Sequence, residues 1–284
     1  MKTAVISLFA TLFFLHAAHA QDSAFQLFDS NGKKVKYAKM IKQLDDAQII
    51  LFGEFHDNPI SHWLQLEVTS TLLKTNELVL GAEMIEADNQ AELNQYLAGE
   101  IDADGLDTLA RLWPNHKTDY KPLVDLAKEN KLKFIAANVP RRFARLVYNG
   151  GFEALDTLSA EEKLWMAPLP IAYDPELPGY VEMLAMMGGH GGENLPKAQA
   201  IKDATMAHFI LANYSPAQTF IHYNGAYHSN NYEGILWYLK LAQPDYRYVT
   251  ISTVSQADVS KLDAENKGIA DFIICVDENM TSTH

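Results

Sequence analysis

The chain has 284 residues, of which 48% are hydrophobic, 21% charged and 11% aromatic. That is the balance of a folded globular protein and excludes collagen-like, coiled-coil and low-complexity classes. Lys and Arg number 23 against 36 Asp and Glu, a net charge of −13, so the chain lacks the excess of cations that holds phosphates and no nucleic-acid partner is expected. A single cysteine, Cys275, rules out an intrachain disulfide framework and any multi-cysteine metal centre.

The N-terminal residues Met1-Lys2-Thr3 carry one positive side chain. An apolar run over 4–17 follows, then the small-residue pattern Ala18-His19-Ala20. This predicts a secretory signal peptide over residues 1–20, because the run is shorter than the roughly 20 apolar residues a spanning helix needs. No Cys follows the run, so the expected product, residues 21–284, is not a lipoprotein. It is expected to be exported to the periplasm or cell surface.

Short apolar runs rich in β-branched residues recur over 48–52, 78–82, 132–136, 219–223, 246–251 and 271–276 and predict strands. Segments with helical spacing lie between them over 61–74, 89–97 and 120–129. Alternating strands and helices predict one α/β domain, a mainly parallel central sheet flanked by helices. The alternation breaks over 140–213, where Pro168, Pro170, Pro175 and Pro178 and the glycines around His190 interrupt short helical pieces. A helical lid insertion is expected there. The Lys33-Lys34-Val35-Lys36 run reads as a solvated hairpin or arm, and His116 as a structural residue.

The strongest local signal is Gly53-Glu54-Phe55-His56-Asp57-Asn58-Pro59, a strand end running into a turn and a helix start. Gly225-Ala226-Tyr227-His228 repeats the Gly-x-x-His spacing after a later strand. Two further strands end near Glu83 and Asn138, so a parallel sheet brings Glu54, His56, Glu83, Asn138 and His228 to one edge, where ligand sites gather in such sheets. Two chemistries are open to that set. His56, His228 and Glu83 can bind a divalent metal, or Glu54, His56, Glu83 and His228 can act as the acid–base centre of a hydrolase. Asp57 and Asn58 before Pro59 also suit a helix cap. No Gly-x-Ser-x-Gly elbow and no phosphate-binding glycine fingerprint is present.

The residues Gly53 to Pro59, Gly81-Ala82-Glu83-Met84, Asn138-Val139-Pro140-Arg141-Arg142, Ala198-Gln199 with Asp203-Ala204-Thr205-Met206-Ala207, and Gly225 to His228 resemble the ordered blocks of the ChaN-like haem-binding uptake proteins. These belong to a wider group with Tiki/TraB-like and erythromycin-esterase-like members. The resemblance spans roughly residues 48–235. It implies an α/β fold and an iron or haem uptake accessory that binds haem, as a homodimer, with an outer-membrane haem receptor or a transport system as partner.

The residues themselves offer haem several groups. Tyr180, Met183, Met186, Met187 and His190 fall close together in the expected lid, and haem iron is held by His, Tyr or Met side chains. Tyr180, Met187 and His190 are therefore candidate haem-binding residues. Arg141, Arg142 and Arg145 are the densest cations in the acidic chain, and Arg141 and Arg142 are candidates to hold carboxylates of the ligand.

Overall fold

The computed structural model describes residues 23–186 and 192–284. The expected signal peptide, Met187 and His190 lie outside the described residues.

Apolar residues at alternate positions drive the central strands into the sheet. In Ile49–Glu54 every residue is buried, and Ile50 and Phe52 face one helical layer while Ile49 and Leu51 face the other. Burial on both sides is what a parallel sheet covered by crossover helices requires. The strands are β1 (Phe25–Asp29), β2 (Ile49–Glu54), β3 (Leu78–Glu86), β4 (Lys133–Asn138), β5 (Thr219–Gly225), β6 (Tyr248–Gln256) and β7 (Phe272–Asp277). They form one sheet in the order β1-β7-β6-β2-β5-β3-β4. β1 runs antiparallel to β7 and all other pairings are parallel.

One face carries α1 (Tyr37–Asp45), α2 (Pro59–Leu72), α3 (Gln90–Ala98), α4 (Ala103–Leu109) and α5 (Lys121–Glu129) over a core that includes Met40, Leu64, Val68, Leu93 and Val124. The other carries α8 (Asn194–Asn213) and α9 (Ile235–Ala242), whose Met206, Ile210, Leu236 and Leu239 pack on Ile49, Leu51, Val79 and Phe220.

The segment read as a lid contains α6 (Arg141–Gly150), α7 (Pro178–Met186) and α8. Phe143 and Val147 of α6 share a core with Ile201 of α8, Leu155 and Met166, so α6 and α8 form part of the layer that covers the sheet. α7 is the more open piece, with Val181 and Met186 exposed. β1, α1, α4 and α9 were not anticipated, β3 continues to Glu86, and β6 runs on to Gln256.

Candidate functional site

Because β2, β3, β4 and β5 are parallel, their carboxyl ends share one edge of the sheet. The chain leaves β2 at Glu54 and enters α2 through a turn capped by Asn58, whose Oδ1 accepts from the backbone N–H of Ile60 and Ser61 at 3.0 Å each. Pro59 occupies the first helical turn, where its missing N–H costs nothing. At the end of β5 the chain bends at Gly225 into a short turn over Ala226–His228. Gly53 and Gly225 allow the two turns to meet. A Cβ on Gly53 would stand 2.9 Å from Ala226 Cα, and one on Gly225 would stand 2.8 Å from His56 Nε2 and 3.5 Å from Glu83 Oε2.

Glu54 is the hub of the first turn. Its Oε1 lies 2.9 Å from His56 Nδ1 and accepts from the Tyr120 hydroxyl at 2.9 Å, while Oε2 accepts from Gln65 Nε2 at 2.5 Å. A carboxylate on Nδ1 fixes the ring orientation and directs Nε2 away from Glu54. Burial by itself would lower the His56 pKa, but the Glu54 hydrogen bond and the charges of Glu83 and Glu54 outweigh it and raise it. Trp113 meets the His56 ring edge-on at 4.8 Å.

The second turn is built differently. His228 is buried, with Nε2 3.0 Å from Glu83 Oε1 and Nδ1 2.5 Å from Asp203 Oδ1. Burial opposes the charge on the imidazole, yet Glu83 and Asp203 together push its pKa up to about 10, so the ring is an imidazolium at neutral pH. Glu83 also accepts from the Gly225 N–H at 2.8 Å. Against the cost of burial, His228, His56 and that amide hold its carboxyl well below the usual range. On Asp203 burial outweighs His228 and the pKa rises.

A cavity of about 820 Å³ opens at this edge. Its floor carries His56, Glu83, Asn138 and His228; its walls carry Phe55, Trp113, Tyr148, Leu195 and Tyr227. Arg141 and Arg145, one turn apart on α6, and Lys202 of α8 line it too. None of these three cations forms an ion pair among the described residues, whereas Arg111 and Arg142 both do. Glu86, which lines the same cavity, is occupied by the Arg111 guanidinium and by the N–H of Arg141 at 2.9 Å. The cations are therefore left for a ligand while the acids are satisfied internally.

The structure gathers Glu54, His56, Glu83, His228 and Arg141 around one cavity, and it separates the others. Arg142 turns aside to Asp88 at 2.5 Å and lies over the Phe143 and Trp165 rings, so it does not line this cavity. Tyr180 is buried against Tyr173 in the wall of a smaller neighbouring cavity.

The metal reading of His56, His228 and Glu83 loses its basis. Both ring nitrogens of His228 are taken by carboxylates, and no group of three or more metal-binding His, Cys, Asp or Glu exists among the described residues. The same clamp removes His228 as a free acid or base, so the hydrolase alternative is not favoured. Lys202 and Asp203 had no assigned role in the sequence. They stand three and four residues after Gln199, each one turn along α8, Lys202 on the large cavity and Asp203 on His228.

The family described as haem-binding uptake, Tiki superfamily, ChaN, matches residues 40–239. The chain belongs to this family. Among solved structures, the one described as cofacial heme binding to ChaN of Campylobacter jejuni superposes with a TM-score of 0.67 and 19% identity, over 88% of this chain and 96% of that one. An erythromycin esterase mutant in its open conformation aligns with a TM-score of 0.51 at 9% identity, over 89% of this chain and 97% of that one. At these identities both likenesses show the fold. The Arabidopsis thaliana protein RETICULATA-RELATED 5, chloroplastic, is 30% identical over 145 residues, 48% of this chain but 19% of that protein. The match thus spans a small part of that relative's length.

Proposed function

We propose that this ChaN-family chain binds haem in the cavity at the carboxyl edge of the sheet. The observation that carries the reading is the pairing of three cations that have no carboxylate partner among the described residues, Arg141, Arg145 and Lys202, with a wall of Phe55, Trp113, Tyr148 and Tyr227. Haem is a flat apolar ring with two carboxylates at one side, and such a wall with cations alongside matches both halves. Bound haem would supply an iron centre, the cargo of an uptake system. The chain's own residues hold the carboxylates through Arg141, Arg145 and Lys202 and shield the ring from water through the aromatic wall. His56 presents the cavity with an imidazole whose Nδ1 is fixed by Glu54, the arrangement that orients a histidine toward iron.

Export, a role in iron uptake, homodimer formation and delivery to or from an outer-membrane receptor or transport system are part of the same proposal. They are supported by the leader-like residues 1–20 and by the family's description as uptake proteins. The test is a haemin titration of residues 21–284 with absorbance and elution volume recorded together. A saturable Soret band with a shift to dimer size is expected. No saturable band would overturn the haem reading, and a band without the size shift would overturn the dimer.

A further inference from the structure

A second, smaller cavity of about 200 Å³ lies on the other side of the His228 clamp. Its inner wall carries Asp203 and Tyr180; Glu182 of α7, Glu233 and Asn231 stand around its outer part, and Leu177 and Met186 add apolar surface. No Lys or Arg lines it among the described residues. Two of its polar atoms are buried with no hydrogen-bond partner, Asp203 Oδ2 and the Tyr180 hydroxyl. Asp203 is 1% exposed and Tyr180 4%. Buried polar groups in native proteins are almost always satisfied, so an orphaned carboxylate oxygen on a residue that lines a cavity points to something that donates to it.

Charge leads to the same place. Along the run Glu83, His228 and Asp203 two carboxyl groups share one imidazole, with Asp203 at the end that borders this cavity. Glu182 and Glu233 add two more carboxylates. Glu233 Oε2 accepts from the Gly179 N–H at 2.8 Å and the Tyr227 hydroxyl donates to the Gly179 carbonyl at 2.7 Å, so the wall contributed by α7 is pinned in place. The ring of Tyr227 also borders the cavity. A hard metal ion is a poor match, because no group of three or more acidic or imidazole side chains among the described residues is arranged to coordinate one. An ammonium group needs less: hydrogen-bond acceptors on one side and an aromatic face on another.

We propose that this cavity binds a primary alkylammonium, with the ammonium donating to Asp203 Oδ2 and the Tyr180 hydroxyl, Glu182 and Glu233 supplying charge around it, and the alkyl chain lying on Leu177 and Met186. The space equals several water molecules, enough for an ammonium head and a short chain. The site is distinct from the haem cavity but shares Tyr227 and Asn230 with it, and the Asp203–His228–Glu83 run also joins the two.

The test is calorimetric titration of the full chain with n-butylamine at neutral pH, with n-butanol as the uncharged probe of equal length. Saturable binding of n-butylamine and none of n-butanol is expected. Glu182→Gln with Glu233→Gln should weaken binding about tenfold, the loss expected for removing two charges near an ammonium. Asp203→Asn should abolish it, because the amide N–H₂ then faces the ammonium. Thermal melting checks that each variant folds, and the double variant, which leaves the His228 clamp intact, keeps the test valid if Asp203→Asn does not. Absence of saturable binding, equal binding of n-butanol, or unchanged affinity in the double variant would each overturn the proposal.

Discussion

His228 Nε2 lies 3.0 Å from Glu83 Oε1 and ties the end of β5 to β3 through a buried ion pair. Asp203 on the other ring nitrogen extends the tie to α8. Breaking a buried charge pair from one side leaves the remaining charges unpaired and costs about 3–5 kcal/mol. His228→Gln is therefore expected to lower stability by that order, measured by urea unfolding. A loss below about 1 kcal/mol, the level of an exposed pair, would mean that the clamp carries no charge.

The same clamp sets a pH dependence. The His228 pKa is raised to about 10 in the folded chain, so its contribution is complete below the unfolded value of about 6.5 and is lost as pH rises through about 10. Glu83 is shifted the other way, so its contribution is present above the ordinary carboxylate range and is lost as pH falls below it. The thermal midpoint of the wild type should fall between pH 7 and an alkaline pH near 10.5, and fall less in His228→Gln. Parallel curves for the two proteins would contradict this.

Gly53 permits the approach of the two Gly-x-x-His turns. A Cβ there would stand 2.9 Å from both Ala226 Cα and the Ile251 carbonyl oxygen, which are backbone atoms that cannot swing away. Gly53→Ala should cost about 1–3 kcal/mol, as overpacking does, and should perturb the haem site. A variant with wild-type unfolding and wild-type haem affinity would show that the turns separate freely.

His56 is expected to contribute to the iron environment. His56→Ala should shift the Soret maximum while the protein still folds, since the side chain is partly exposed and Glu54 keeps its Tyr120 and Gln65 partners. An unchanged maximum in His56→Ala together with a shift in His190→Ala would move ligation out of the sheet edge and into the segment after α7.

Much of the α/β frame was legible because alternation and helical spacing are strong where residues are apolar. The strand over 48–52 lies within one residue of β2 at its start and two at its end. β6 was cut short at 251 because Ser252, Thr253, Ser255 and Gln256 look like a turn. Instead, Ser252 is bonded to Asn230, Thr253 to Ser61 and Gly53, and Gln256 to backbone beyond the strand. Hydrogen bonds replace apolar burial there, and periodicity does not register them. β1 is an edge strand of five residues whose partner is the last strand of the chain, so nothing near it in sequence announced it.

At the site, the two turns were legible from strand-end position, and Glu83 was found although it lies inside β3 rather than at its end. Asp203 was not, because it lies mid-helix in α8 among buried Ala198, Thr205 and Met206, where a lone acid gives no local sign of its partner. Arg142 misled because adjacent residues on a helix point about 100° apart, so Arg141 and Arg145 share a face and Arg142 does not. Arg142→Ala should accordingly leave haem affinity unchanged while losing the Asp88 pair and the packing on Trp165. Weakened haem binding in that variant, with the fold intact, would argue against this geometry.

In the proposed complex Arg141 and Arg145 of α6, which have no ion-pair partner among the described residues, hold haem together with the aromatic wall. The most direct test is haemin titration of the wild type beside Arg141→Ala with Arg145→Ala, at matched ionic strength and with folding verified by circular dichroism. A saturable Soret band is expected in the wild type and an affinity at least about tenfold lower in the double variant, the scale of two charge-assisted hydrogen bonds. No saturable band in the wild type, or equal affinity in the two proteins, would contradict it.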